Sequence, residues 1–166
     1  MGFSIEIFDS KIHNRNTFNC EEESLSNYLK HQASQDIKKK LATCFVLLES
    51  GSTEIKGYYT LSSESIDRKQ VPEKYQKKIP LQYTAPVILL GRLARDITMK
   101  GSPAGKILLA DALTRSLSIS KTLGAMAVVV DPINDFARTF YANYGFISLP
   151  DSRRMFIALS TVEQLF

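Results

Sequence analysis

The stretch from Ala125 to Leu149 leaves a folding chain little choice. Ala125–Val130 is an unbroken apolar run rich in valine, the pattern of a buried strand. Asp131, Pro132 and Asn134 interrupt it with turn chemistry. Phe136, Ala137, Phe140, Tyr141 and Tyr144 then recur at intervals of three and four, which is helical spacing. Gly145 supplies a helix stop, and Phe146–Leu149 opens another strand. Strand, capped helix and returning strand need a sheet to pack on, so the chain is of α/β type.

The remaining elements agree. Ile5 and Ile7 alternate as in a first strand. A helix is expected from Glu21 or Glu22 to about Asp36, with Leu25, Tyr28, Leu29 and Ala33 on one face and acids in its first turn, where the helix dipole favours them. Leu41–Leu48 reads as a strand, Gly51-Ser52 as a turn, and Ile55–Ser62 as the returning strand of a hairpin. Ser63 to Pro86 is polar and basic, marked by Pro72, Pro80 and Pro86, with a short helix near Glu73–Lys78. Excursions of this length are usually functional. Val87–Leu93 is the most apolar strand, Gly101–Gly105 a turn and Lys106–Lys121 a helix; Phe146–Leu149 and Met155–Leu159 close the sheet. The expected fold is a central mixed sheet with helices on both faces, in a single domain spanning residues 1–166.

Several classes of chemistry drop out. Cys20 and Cys44 are the only 2 cysteines, and His13 and His31 the only 2 histidines. Neither pair has zinc-ligand spacing, so no metal site is expected, and a Cys-His or Ser-His-Asp hydrolase is hard to build. No apolar run approaches the roughly 20 residues that span a membrane. The N-terminus lacks a signal-peptide layout, so the expected location is the cytoplasm. The net charge of +4 is mild but clustered, at Lys38-Lys39-Lys40, from Arg68 to Lys78, at Arg92 and Arg95, and at Arg153-Arg154. Either a polyanionic partner or an ordinary solvated surface accounts for such clusters.

Asn134 to Phe146, with its Phe140-Tyr141 pair and Gly145-Phe146 step, resembles the C-terminal half of a GCN5-related N-acetyltransferase. Further segments are similar to the acetyltransferase toxins of bacterial toxin–antitoxin pairs. They are Phe18-Asn19-Cys20 with Ser24-Leu25 and Tyr28-Leu29, Ala33 with Asp36, Gly57 to Ser62, Leu90-Gly91-Arg92-Leu93-Ala94, Val128 to Asp131, and Arg153 to Phe156. The resemblance covers the chain from about Phe18 to Phe156, and Leu90 to Ala94 is its most specific piece.

The resemblance implies an acetyl-coenzyme A-dependent N-acetyltransferase of the GCN5-related fold, acting on the α-amino group of aminoacyl-tRNA. It also implies a homodimer and a small ribbon-helix-helix antitoxin. Backbone amides of Leu93, Ala94 and Arg95 would line the coenzyme's pantetheine arm. Lys100, Gly101, Ser102, Ala104, Gly105 and Lys106 would hold its pyrophosphate, since helix N-termini and glycine loops bind phosphate through backbone N–H groups. Asn134 would contact the coenzyme arm and Tyr141 would protonate the departing thiolate. Arg92, Lys38, Lys39, Lys77 and Lys78 would contact the tRNA phosphates. The loop departs from the family pattern by carrying Thr98 where Gln or Arg is usual and Pro103 where a small residue is usual; proline has no N–H to offer, although it is well tolerated at a helix's first position. Glu64 is the one notable carboxylate, readable as a base or as a solvated loop residue. An acetyltransferase for a protein or small amine, and a degenerate domain serving as a binding module, remain the competing readings.

Overall fold

The alternation at Ile5 and Ile7 forms strand β1 (Phe3–Ile7), paired antiparallel with β2 (Thr43–Glu49), Ile7 opposite Phe45. The computed structural model describes residues 2–166. Strand β2 begins later than its apolar run, and Leu41 is 62% exposed, because the chain turns through Lys40 at φ +60°. On its other side β2 pairs antiparallel with β3 (Ile55–Ile66), Thr43 opposite Leu61, with a shift of register at Leu47/Leu48.

Strand β3 runs to Ile66, four residues past its expected end, so Ser63 and Glu64 are strand rather than loop. The rest of the excursion is also ordered. It holds a 3₁₀ turn (Arg68–Gln70) and α3 (Glu73–Gln76), and Val71, Tyr75 and Ile79 are buried. The helix expected from Glu21 is interrupted. It runs as α1 (Glu23–Asn27), a π turn (Tyr28–Gln32) and α2 (Ala33–Lys38). Apolar spacing alone does not reveal the extra residue of an i→i+5 turn.

Strand β4 (Ala85–Arg95) leads through a 3₁₀ turn (Ile97–Met99) into α4 (Ala104–Ile119), then β5 (Ala127–Val130), α5 (Asp135–Asn143), β6 (Ile147–Ser148) and β7 (Met155–Ala158). A last helix, α6 (Leu159–Leu165), was not legible in the apolar pattern. The seven strands form a mixed sheet in the order β1-β2-β3-β4-β5-β7-β6.

The chain divides into two compact units, one of residues up to Ser62 with Leu90–Ala112, the other of Ser63–Leu89 with Leu113–Phe166. The first has a core of Phe8, Phe18, Tyr28, Leu29, Ala33, Cys44, Val46, Leu48, Ile55, Tyr58 and Ala94. Gly57 is required in it: a Cβ there would meet Leu108 Cδ1 at 2.8 Å and the Ala94 carbonyl oxygen at 3.2 Å. The second unit packs Ile66, Val71, Tyr75, Ile79 and Val87 with Val129, Leu149 and Phe156. Among the described residues no helix is long and apolar enough to cross a membrane.

Candidate active site

The loop that follows β4 is built around Asp96. Its Oδ1 accepts from the Asn19 backbone N–H at 2.8 Å, and its Oδ2 accepts from the Thr98 N–H at 3.0 Å and the Thr98 hydroxyl at 2.6 Å. Burial alone would raise the Asp96 pKa. The hydrogen bonds from Thr98 and Asn19, with the Lys56 charge nearby, outweigh it and hold the carboxyl below its usual range. Lys56 Nζ donates to the Thr98 hydroxyl at 3.3 Å. Thr98 is therefore a brace for the loop, and a cation stands beside the position where Gln or Arg is usual.

Beyond it, Gly101 has φ +81°, a conformation costly for any other residue, with nothing within 4 Å of where a Cβ would lie. Ser102 donates to the Met99 carbonyl at 2.6 Å and accepts from the Ala104 N–H at 3.2 Å. Pro103 is not the first residue of the helix but the one before it, its carbonyl accepting from Ile107 N–H at 2.9 Å. At that position the missing N–H removes none of the first-turn donors, and those of Gly105 and Lys106 point out of the start of α4. Lys100 is ion-paired with Glu21, both more than half exposed. Lys106 is exposed, Leu93 and Arg95 are half-buried, and Ala94 packs in the core. Any contact these three strand residues make with a coenzyme arm is thus a backbone one at Ala94.

In the second unit, Asn134 is the N-cap of α5, its side-chain oxygen accepting from the Ala137 N–H at 2.8 Å. Tyr141 lies about two turns further along that helix, 7% exposed, its ring 5.3 Å from Phe140 and 5.2 Å from Phe146. Its hydroxyl has no hydrogen-bond partner among the described residues. Burial pushes its pKa up, so the phenol keeps its proton at every physiological pH. Glu64, on β3, is not a loop residue and is only partly exposed: both oxygens face Arg154, at 3.1 and 3.0 Å. Arg154 also grips Asp131, through Nε at 2.8 Å and a terminal nitrogen at 3.0 Å.

The basic residues fall into different settings. Lys38 and Lys39 are exposed at the end of α2, and Lys77 and Lys78 are exposed after α3. Arg92 is half-buried and stacked on Tyr28. Sequence reading missed Lys56 and Asp96, and took Arg154 only as part of a charge cluster and a family motif, without its tie to Glu64 and Asp131. Of the two missed, only Asp96 left a local trace, since Asp two residues before Thr is an Asx-turn pattern. No group of three or more His, Cys, Asp or Glu among the described residues could hold a metal ion.

Known proteins are similar to the chain over nearly its whole length. A probable toxin TacT of Sinorhizobium fredii is 29% identical over 169 residues, 97% of this chain and 93% of that protein. The tRNA-acetylating toxin of Mycobacterium tuberculosis is 31% identical over 150 residues, 90% of this chain and 88% of that one. The crystal structure of a tyrosine-to-phenylalanine mutant of KacT matches with a TM-score of 0.93 at 31% identity, over 100% of both chains. AtaT complexed with acetyl-methionyl-tRNAfMet matches with a TM-score of 0.91 at 31% identity, over 99% of each. A mutant AtaT bound to the C-terminus of the antitoxin AtaR and acetyl-CoA matches with a TM-score of 0.84 at 26% identity, over 99% of this chain and 98% of that one. No profile of a known protein family matches the chain. Its identity with the tRNA-acetylating toxin and with KacT, spread along the full fold, places it: the chain belongs to the GCN5-related acetyltransferase toxins.

Proposed function

We propose that the chain moves the acetyl group of acetyl-coenzyme A onto the free α-amino group of an aminoacyl-tRNA and so blocks its use in translation. The observation that carries this is the full-length match to AtaT complexed with acetyl-methionyl-tRNAfMet, at a TM-score of 0.91. Residues 1–166 are read as a single acetyltransferase domain, as the family resemblance implies.

The residues fit the donor. Gly101 gives an open, left-handed turn without a side chain, and the N–H groups of Gly105 and Lys106 lead α4, a setting suited to pyrophosphate. Lys56 and Lys106 add positive charge to that loop, and Asn134, its oxygen spent on the cap, keeps its amide N–H₂ for the coenzyme arm. Bound acetyl-coenzyme A supplies an acetyl group already activated as a thioester. Tyr141 supplies a proton held in an apolar surround. A thiol's ordinary pKa is about 8.5, below that of this phenol. Tyr141 therefore acts by donating a hydrogen bond to the departing sulfur. As the carbon–sulfur bond breaks the thiolate takes the proton, and the proton lost by the attacking nitrogen restores the phenol, so that the products are the acetylated amine and the free coenzyme thiol. An α-amine titrates near 7.7–8.0, so much of it is already neutral at cellular pH and needs little help from a base. The pairing of Glu64 with Arg154 is consistent with that economy.

Arg92, Lys38, Lys39, Lys77 and Lys78 are the phosphate contacts in this reading, and the cytoplasm is where the substrate is met. An antitoxin partner is supported by the AtaT–AtaR complex. Its ribbon-helix-helix type and the homodimer rest on the family resemblance alone. The test is transfer of labelled acetyl from acetyl-coenzyme A to purified aminoacyl-tRNA, beside uncharged tRNA, peptides and polyamines. Label on the charged tRNA alone is expected. Label on peptide or polyamine, with none on tRNA, overturns the reading.

A further inference from the structure

Arg92 projects from β4, and its guanidinium carbon lies 3.5 Å from the centre of the Tyr28 ring. That ring is held on all sides. The Tyr28 hydroxyl donates to Asp36 at 2.8 Å, and the Gln32 amide donates to the other Asp36 oxygen at 3.0 Å. The ring stacks on Tyr58, centroids 6.2 Å apart and planes 11° apart. Tyr58 is itself fixed, edge-on to Phe18 at 5.6 Å and donating to the Leu25 carbonyl at 2.6 Å. The π turn Tyr28–Gln32 places Tyr28 in this stack, and such turns concentrate at functional positions. All of these residues lie in the first unit.

At 3.5 Å over a ring only a near-parallel guanidinium avoids a clash, so one face is covered while its N–H donors remain in the plane as a fork. Arg92 makes no ion pair with a carboxylate among the described residues, and both Asp36 oxygens are spent on Tyr28 and Gln32. After the hydrogen bonds from Gln32 and Tyr28, the Arg92 charge helps to lower the Asp36 pKa, but no ion pair ties its fork to a carboxylate among the described residues, and its orientation is already set. The lysines, on long flexible stems, supply charge without geometry.

We infer that the Phe18–Tyr58–Tyr28 stack is a mount that fixes the plane of Arg92, so that its fork grips one phosphate of the aminoacyl-tRNA bidentately. Tyr28 is the positioning residue in this arrangement, through its ring. The inference rests on the aminoacyl-tRNA reading above. A planar fork matches the paired oxygens of a phosphate, and fixing it beforehand spares the ordering cost at binding.

The experiment is a double-mutant cycle read on KM for charged tRNA. Tyr28→Leu is expected to raise KM roughly tenfold with kcat little changed, and Tyr28→Phe, which keeps the ring, to restore it to within about twofold. In an Arg92→Gln background, Tyr28→Leu is expected to add nothing. Arg92→Lys is expected to lose as much as Arg92→Gln, and the latter to flatten the log–log salt slope of tRNA binding by about one. Additive effects of Tyr28→Leu and Arg92→Gln overturn the inference, as does a lysine that serves as well as the arginine. The lysine arm changes nothing at Tyr28, so it decides the matter even where Tyr28→Leu does not fold. Wild-type transfer is measured first: its absence overturns the function itself, whereas a normal wild type with an additive cycle overturns the mount alone.

Discussion

Arg154 holds Glu64 with both carboxylate oxygens facing its guanidinium, at 3.1 and 3.0 Å, while the same side chain grips Asp131. A cation shared by two carboxylates is a structural tie between β3 and the end of β5, and it commits the one acid that the sequence offers as a base. Glu64→Gln is therefore expected to leave turnover within about threefold, since a neutral amine needs little deprotonation. Arg154→Met is expected to cost about 1–2 kcal/mol, because it leaves two carboxylates without their counter-charge in a partly exposed setting. Transfer assays and denaturant titration check the pair. A hundredfold loss in Glu64→Gln with an unchanged midpoint would return the base role to Glu64.

Tyr141→Phe separates chemistry from folding. The phenol has no partner among the described residues and sits in an apolar surround, so removing its oxygen breaks no hydrogen bond. Stability is expected to hold or rise, by up to about 1 kcal/mol. Turnover is expected to fall by roughly 10²–10⁴ with acetyl-coenzyme A affinity kept. Unchanged turnover in a folded variant removes Tyr141 from the reaction.

The buried phenols also set the alkaline limit. Burial raises Tyr28, Tyr58 and Tyr141 above the ordinary 10.0, and Cys44 is pushed up from 9.0 to about 12. Each group binds its proton more tightly folded than unfolded. Its contribution is complete below the unfolded value and is lost as pH rises through the folded one. The denaturation midpoint is thus expected to decline from about pH 9, where Cys44 begins, and to steepen above about pH 10 as the tyrosines join. Each group adds at most about 1.4 kcal/mol per pH unit. Cys44→Ala is expected to flatten the first part of the decline and Tyr141→Phe the second. A midpoint level to pH 11 in the wild type would contradict the burial of these groups.

What could be read from the chain beforehand follows from the range of the forces involved. Asn134 to Phe146 was legible because a cap, a helical stripe and a glycine stop act within one segment, and the structure reproduces them with Asn134 bonded to Ala137. The end of β3 was not, because Ser63 and Glu64 look like loop residues until Arg154, ninety residues after Glu64, supplies that carboxylate's partner. The π turn at Tyr28 escaped for the same reason: Tyr58 and Arg92, from other strands, hold it in place. Thr98 and Pro103 looked like defects of the cofactor loop. Asp96 turns the first into a brace, and the second stands before the helix, where its missing N–H is not called on.

The cofactor loop offers a last prediction, in which fold and binding move by different amounts. Asp96 is held below its ordinary 3.8 by bonds from Thr98 and Asn19, against the opposing effect of burial. Its stabilisation is complete above the unfolded value and is lost as pH falls through the folded one. Asp96→Asn should remove that acid-side loss and release the Thr98 brace, lowering acetyl-coenzyme A affinity by roughly tenfold if charge-assisted bonds of about 1.5–3 kcal/mol shape the loop. Gly101→Ala meets no atom within 4 Å, so only its φ of +81° is at stake, and about 1–2 kcal/mol of strain is expected. That strain falls on the loop whether or not coenzyme is bound, so affinity should change less than stability. Calorimetric titration with acetyl-coenzyme A beside thermal unfolding measures both. Binding lost in Gly101→Ala without any loss of stability would mean that an added methyl meets the pyrophosphate itself, which places the phosphate closer to Gly101 than to the first turn of α4.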